Sequence, residues 1–286
     1  MITRKIGNRE AGAIGLGAMP MSIEGRPEES ESLRTIHAAL DAGVTLIDTA
    51  DAYHLLPGET GHNEQLVAKA LATYAGDGSA VLVATKGGHV RPGDGSWTVD
   101  GSPRHLREAC EASLKALGVD AIGLYQFHRP DPAVAYEESI GALKELLDTG
   151  KARMVGISNA SIDQIRIAES ILGPGNLASV QNQFSPVFRS SEAELRYCAE
   201  HGIAFLPWSP LGGISSAKEL GSRFAAFAEV AAEHGVSPQR VALAWELAKA
   251  PVVIPIPGAS RVQSVQDSVA AVDLVLDPAE LARLDG

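Results

Sequence analysis

From residue 12 onward the chain alternates between unbroken apolar runs and amphipathic stretches. The apolar runs are AIGLGAM within 12–19, VTLIDTA at 44–50, AVLVATK at 80–86 and AIGLYQFH at 121–128. ARMVGISN at 152–159, LASVQNQ at 177–183, IAFLPWS at 203–209 and PVVIPIPG at 251–258 continue the series. Continuous rather than alternating apolar character predicts strands covered on both faces. The intervening stretches have helical spacing. ESLRTIHAALDAG puts Leu33, Ile36, Ala39 and Leu40 on one face, and SIGALKELLDTGK at 139–151 repeats the pattern, ending on Gly150 as a C-cap. SRFAAFAEVAAEHG (222–235) and SPQRVALAWELAKA (237–250) follow one another with no strand between, which predicts an extra helix in that crossover.

Eight strands and eight crossovers predict an α/β fold, a (β/α)8 TIM barrel formed by a single domain over 1–286; such barrels typically take about 250 residues. The competing architecture, a doubly wound open sheet, carries a glycine fingerprint after its first strand. GLGAMP at 15–20 has Gly15 and Gly17 but Pro20 where the third glycine belongs, so the barrel is the better expectation. Before the first barrel strand, Gly7-Asn8 sits between two short runs and predicts a β-hairpin closing the bottom of the barrel.

In a barrel, chemistry collects at the C-terminal strand ends, where eight loops meet. Polar residues that end strands are therefore informative. The second run ends in Asp48, with Tyr53 just beyond; the third ends in Lys86 and the fourth in His128. A carboxylate at the end of a buried strand is costly unless a cation meets it, and Lys86 on the next strand is that cation. Singly, each has a plainer reading: a helix N-cap for Asp48, a solvated lysine, a packed histidine. Their occurrence together on consecutive strand ends points to a catalytic group.

Composition narrows the field. The 286 residues are 45% hydrophobic and 21% charged, with 24 basic against 35 acidic side chains and a net charge of −11. That balance disfavours nucleic acid and anionic membrane surfaces as partners. No run reaches the roughly 20 apolar residues of a membrane span, and the opening MITRKIGNREAGAIG lacks a signal-peptide core. Two cysteines, Cys110 and Cys198, form no CxxC pair, so a cytoplasmic location with reduced thiols is expected. No HxH, HExxH or paired histidines suggest a metal.

Asp48, Tyr53, Lys86 and His128 resemble the catalytic tetrad of the aldo-keto reductase superfamily, and the likeness runs from GLGAMP through IPGASR. In HRPD, PLGG and IPGAS the chain is most similar to bacterial members, some of them pyridoxal-reductase-like. The resemblance implies an NADPH-dependent reductase (NADH being possible) that acts on small-molecule aldehydes or ketones. Tyr53 is the expected general acid, Lys86 lowers its pKa of about 10, Asp48 anchors Lys86, and His128 orients the carbonyl. Ser158, Asn159 and Gln181 at two further strand ends match the family's grip on the nicotinamide amide, and Trp208 its stacking ring. A packed core tryptophan is the plainer reading of Trp208.

For the remainder of the cofactor, Met19, Ser209, Leu211, Gly213 and Gly258 are expected along its path, with backbone amides of SPLGG facing the pyrophosphate. Ser260 and Arg261, at the start of a helix, are the candidates for the adenosine 2′-phosphate. Arg261 is equally readable as a surface charge, and Ser264 and Ser268 replace residues that relatives often use. His54 and Trp97, on the long loops at 53–64 and 87–103, are expected to line the substrate pocket together with Met19. Arg129, next to His128, is placed to attract an anionic substrate, but HRPDP also suits a helix start in which Arg129 pairs with Asp131, and the structural reading is preferred. Two other functions compete: an NADPH-binding sensor with little turnover, and a Schiff-base lyase built on Lys86.

Overall fold

The alternation of apolar and amphipathic runs becomes a parallel sheet wrapped by helices. The computed structural model describes residues 2–92, 94–213, 217 and 220–286, except the side chain of Arg223. Gly93 in the 87–103 loop, and residues 214–216, 218 and 219 after the PLGG segment, lie outside the described residues. The strands are β1 (Thr3–Ile6), β2 (Arg9–Gly12), β3 (Leu16–Gly17), β4 (Leu46–Asp48), β5 (Leu82–Gly87), β6 (His89–Val90), β7 (Thr98–Val99), β8 (Leu124–Phe127), β9 (Val155–Ser158), β10 (Leu177–Gln181) and β11 (Ala204–Phe205). Seven of them form one parallel sheet in the order β11-β10-β9-β8-β5-β4-β3.

Between the strands run α1 (Glu29–Asp41), α2 (His62–Thr73), α3 (Pro103–Leu117), α4 (Tyr136–Asp148), α5 (Ile162–Leu172) and α6 (Glu192–His201). After β11 come α7 (Leu220–Arg223), α8 (Ala225–His234) and α9 (Pro238–Lys249), then α10 (Val262–Val269) and α11 (Pro278–Asp285). The pair α8–α9 is the strand-free crossover the pattern predicts. Local signals set the ends: Ser102 caps α3 by accepting from the His105 amide, Pro103 takes the first helical position, and Gly118 leaves it at φ 67°.

The expected eighth strand at 251–258 is not a regular strand. Its segment still touches both edges of the sheet: Ile254 and Ile256 donate to the Phe205 and Pro207 carbonyls, while Pro255 and Pro257 accept from Gly15 and Gly17. Pro255 and Pro257 have no N–H to return across this seam, so those two rungs are missing, and the Ala259 amide reaches the Gly17 carbonyl only at 3.4 Å. Gly17 is needed at this seam, since a Cβ there would lie 2.8 Å from the Ile256 carbonyl oxygen.

β1 and β2 pair antiparallel around Gly7-Asn8, as the sequence predicts. Buried Ile6 and Ala11 pack with Leu46, Leu82, Leu124, Met154 and Ala204, which lie at or just before the N-terminal ends of the strands. The hairpin thus covers that end. Outside the strands a larger cluster joins them to the helices; in it Trp245 stacks on Phe184 with ring centroids 5.5 Å apart. Cys110 and Cys198 are buried free thiols, which burial pushes up to about 11 and about 12.

Candidate active site

Parallel register brings the strand-end polar residues together. Asp48 lies opposite Ala84, and Lys86 opposite Gln126. Lys86 has no solvent exposure, and its Nζ donates to Asp48 Oδ1 at 2.5 Å, to the Thr49 carbonyl at 2.8 Å and to the Tyr53 hydroxyl at 3.0 Å. Those are all three donors of an ammonium. Asp48 Oδ2 accepts from Gln181 Nε2 at 2.8 Å and from Gln126 Nε2 at 3.4 Å. The buried carboxylate is therefore matched on both oxygens, which offsets the cost of burying it.

Burial acts first on the acidity of each group. For Lys86 it alone would lower the pKa, but Asp48 and Tyr53 outweigh it and the ammonium is held above its ordinary value. For Tyr53 burial raises the pKa and Lys86 pulls it back, with burial prevailing. The expectation that Lys86 leaves Tyr53 more acidic than usual is corrected here: the resting phenol keeps its proton more firmly. His128 is held well below the usual imidazole range, by burial first and then by Lys86, His89 and Arg129. It is neutral, and no hydrogen-bond partner meets its buried Nδ1.

A cleft of about 360 Å³ opens above this group. Asp48, Tyr53 and His128 form part of its wall, and Lys86 lies beneath them. Met19, Ser158, Asn159, Gln181, Trp208, Ser209, Leu211, Gly213 and Gly258 line the cleft, as does Trp97. Asn159 and Ser209 hold left-handed backbone at φ 58° and φ 50°. Asn159 Nδ2 donates to the His128 carbonyl at 3.0 Å, and Trp208 Nε1 donates to Asn159 Oδ1 at 3.2 Å. The Trp208 ring is part of the wall and only partly in the core. Among the described residues no group of three or more His, Cys, Asp or Glu could hold a metal, and no helix is long and apolar enough to cross a membrane.

The sequence pattern of the Aldo/keto reductase family matches residues 13–286. An uncharacterized oxidoreductase of Schizosaccharomyces pombe is 35% identical over 287 residues, spanning 99% of this chain and 89% of its own length. The chain belongs to the aldo/keto reductase family. As a member it is an oxidoreductase. Solved relatives agree in fold: a glycerol dehydrogenase from Gluconobacter oxydans superposes with a TM-score of 0.82 at 29% identity, covering 99% of this chain and 94% of that one. An aldo-keto reductase from Klebsiella pneumoniae, solved in complex with NADPH, gives 0.80 at 26% identity, covering 100% and 95%.

In this aldo-keto reductase several expected residues lie elsewhere. His54 is buried away from the cleft, its Nδ1 3.0 Å from the Leu56 carbonyl, so the expected pocket role is not supported. Ser260 and Arg261 are outside the cleft lining; Arg261 is the exposed residue preceding α10, its guanidinium 3.5 Å from Ser264 Oγ. Arg129 does not pair with Asp131, whose Oδ2 accepts from the Gly101 amide and Oδ1 from the Ala133 amide. Arg129 instead lines the cleft.

Other contributors were missed. Gln126 was readable as a polar residue inside LYQFH, two positions before His128. His89, three positions after Lys86, lines the cleft with its ring 4.6 Å from that of His128. Trp97 sits 5.0 Å from His89 and 6.5 Å from Tyr53. Arg91 stacks on Trp97 at 4.6 Å, and bonds the His54 carbonyl and Glu24, tying the β6–β7 hairpin to the segment after β3.

Proposed function

We propose that this protein reduces aldehydes or ketones to alcohols with NADPH, on a (β/α)8 barrel closed by the 251–258 segment and formed by one domain over 1–286. The observation that carries the reading is Lys86 Nζ, held between Asp48 and the Tyr53 hydroxyl directly beneath an open cleft. The lining fits a nicotinamide cofactor. Ser158, Asn159 and Gln181 offer neutral donors and acceptors suited to a carboxamide, the Trp208 ring offers a flat face, and Ser209 to Gly213 supply a turn of backbone amides.

When bound, NADPH supplies a hydride to the carbonyl carbon. Tyr53 gives its phenolic proton to the oxygen on which negative charge grows. Lys86, 3.0 Å away, stabilises the tyrosinate that this leaves, and Asp48 keeps the ammonium in place. His128 is neutral, and nothing among the described residues holds a proton on Nδ1; Nε2–H is thereby free to bond the substrate oxygen and aim it at Tyr53. Trp97 and His89 screen the reacting end from water. Arg261 and Ser260, beside the first turn of α10, are the proposed contacts of a 2′-phosphate and the basis of an NADPH preference. A cytoplasmic location follows from the reduced, buried thiols.

The test is NADPH oxidation against a panel of pyridoxal, methylglyoxal and aromatic aldehydes, in the parent and in Tyr53→Phe. Turnover in the parent and its near-complete loss in the variant are expected. Equal rates in both proteins sink the reading, and equal kcat/KM for NADPH and NADH sinks the cofactor preference.

A further inference from the structure

Among the described residues, three side chains of the carboxylate or guanidinium type line the cleft: Glu24, Asp48 and Arg129. Two are already matched. Lys86 meets Asp48 from beneath, and Arg91 pairs with Glu24. Arg129 has neither an ion-pair nor a hydrogen-bond partner for its guanidinium, although its neighbour Asp131 carries a carboxylate two positions away. The guanidinium of this half-buried side chain presents five donors in a planar fork, reachable from the open cleft and without a protein acceptor among the described residues. Arg129 directly follows His128 in the chain, and its charge acts on both His128 and His89. It therefore lies on the side of the cleft where the carbonyl is to be held, among Trp97 and the two imidazoles.

The sign of the field makes this position informative. A chain of net charge −11 repels anions at long range, so an anionic ligand needs a dedicated local cation. With Asp48 and Glu24 each paired, the uncompensated charge among the described lining residues is the positive one on Arg129.

We propose that Arg129 is the anion anchor of the substrate site, selecting aldehydes or ketones that carry a carboxylate. The fork geometry of guanidinium matches a carboxylate with two parallel hydrogen bonds. The inference rests on the carbonyl-reduction reading above and adds the substrate class to it.

The experiment compares 4-formylbenzoate with its methyl ester, two aldehydes that differ in charge but share ring and reacting group. In the parent, kcat/KM with NADPH is expected to favour the acid by about tenfold or more, the scale of hydrogen bonds to a charged group. Arg129→Gln is expected to bring that ratio down at least tenfold, through KM rather than kcat, and Arg129→Lys to restore part of it. Added salt is expected to shrink the parent's ratio, a readout that needs no variant. Benzoate is expected to inhibit the parent more tightly than benzamide and to lose that advantage in Arg129→Gln. 4-Formylphenyl phosphate, run in parallel, is expected to be the poorer substrate; the reverse order overturns the carboxylate assignment. A parent that reduces the ester yet shows no preference for the acid, or an Arg129→Gln variant with the parent's ratio, overturns the anchor and leaves carbonyl reduction standing. A parent that oxidises NADPH with none of these aldehydes overturns carbonyl reduction itself, and the anchor with it.

Discussion

Gln181 reaches Asp48 from 133 positions away in the chain, its Nε2 donating to Oδ2 at 2.8 Å. The amide thus belongs to the support of the Asp48 carboxylate as well as to the cleft wall. Gln181→Leu leaves Oδ2 with Gln126 at 3.4 Å and little else. The expected cost is about 1–3 kcal/mol of stability, the usual price of a buried acceptor left unpaired. Urea unfolding measures it, and kcat is expected to fall alongside. A variant as stable and active as the parent overturns the assignment.

In the proposed mechanism Tyr53 and Lys86, 3.0 Å apart, act as one unit, so their substitutions are not expected to add. Tyr53→Phe and Lys86→Met are each expected to lower kcat by about 10²–10⁴-fold, and the double variant by hardly more. The donor form of Tyr53 is the protonated one, present below its folded pKa. Burial raises that pKa above its ordinary value, so the reduction rate is expected to stay level through neutral pH and to decline only above about pH 10. A decline near pH 8 contradicts the raised pKa.

Glu246 on α9 is fully buried, with no partner for either carboxylate oxygen, and burial raises its pKa well above the usual range. The folded state therefore holds a proton that the unfolded state gives up. Stability from this group is complete below the ordinary carboxylate pKa of about 4.3 and is lost as pH rises toward the folded value. Glu246→Met is expected to raise Tm at neutral pH, and the gain is expected to grow between pH 5 and pH 8. A Tm difference independent of pH defeats this account.

His89 works with the opposite sign. Burial first, then Arg129 and Lys86, bring its pKa down from 6.5 to about 4, so the folded state keeps it neutral while the unfolded state protonates. Its contribution is present above pH 6.5 and is lost as pH falls toward 4. His128 is shifted in the same direction. His89→Asn is expected to lose less Tm than the parent between pH 7 and pH 5 in a thermal scan. Equal losses would falsify the assignment.

The strand ends were legible because each unbroken apolar run stops at a polar residue, which is how Asp48, Lys86, His128, Asn159 and Gln181 came to notice. Gln126 was visible only as a polar residue in mid-run: in a strand buried on both faces, the pattern does not say which side faces the interior, so its approach to Asp48 was not legible. Of the two readings of Arg129, the pairing with Asp131 was preferred because that residue is close in sequence, yet its carboxylate is taken by the Gly101 amide, 30 positions away. His54 sits in a loop whose path depends on the Arg91 bond to its carbonyl, a contact 37 positions off. The irregular closing segment did carry a signal, since three prolines in PVVIPIPG cannot all serve a regular ladder.

The β1–β2 hairpin, with the side chains packed on it, stoppers one end of the sheet. Cofactor and carbonyl are therefore both expected to come and go by the opposite mouth, the one above Lys86 and Tyr53.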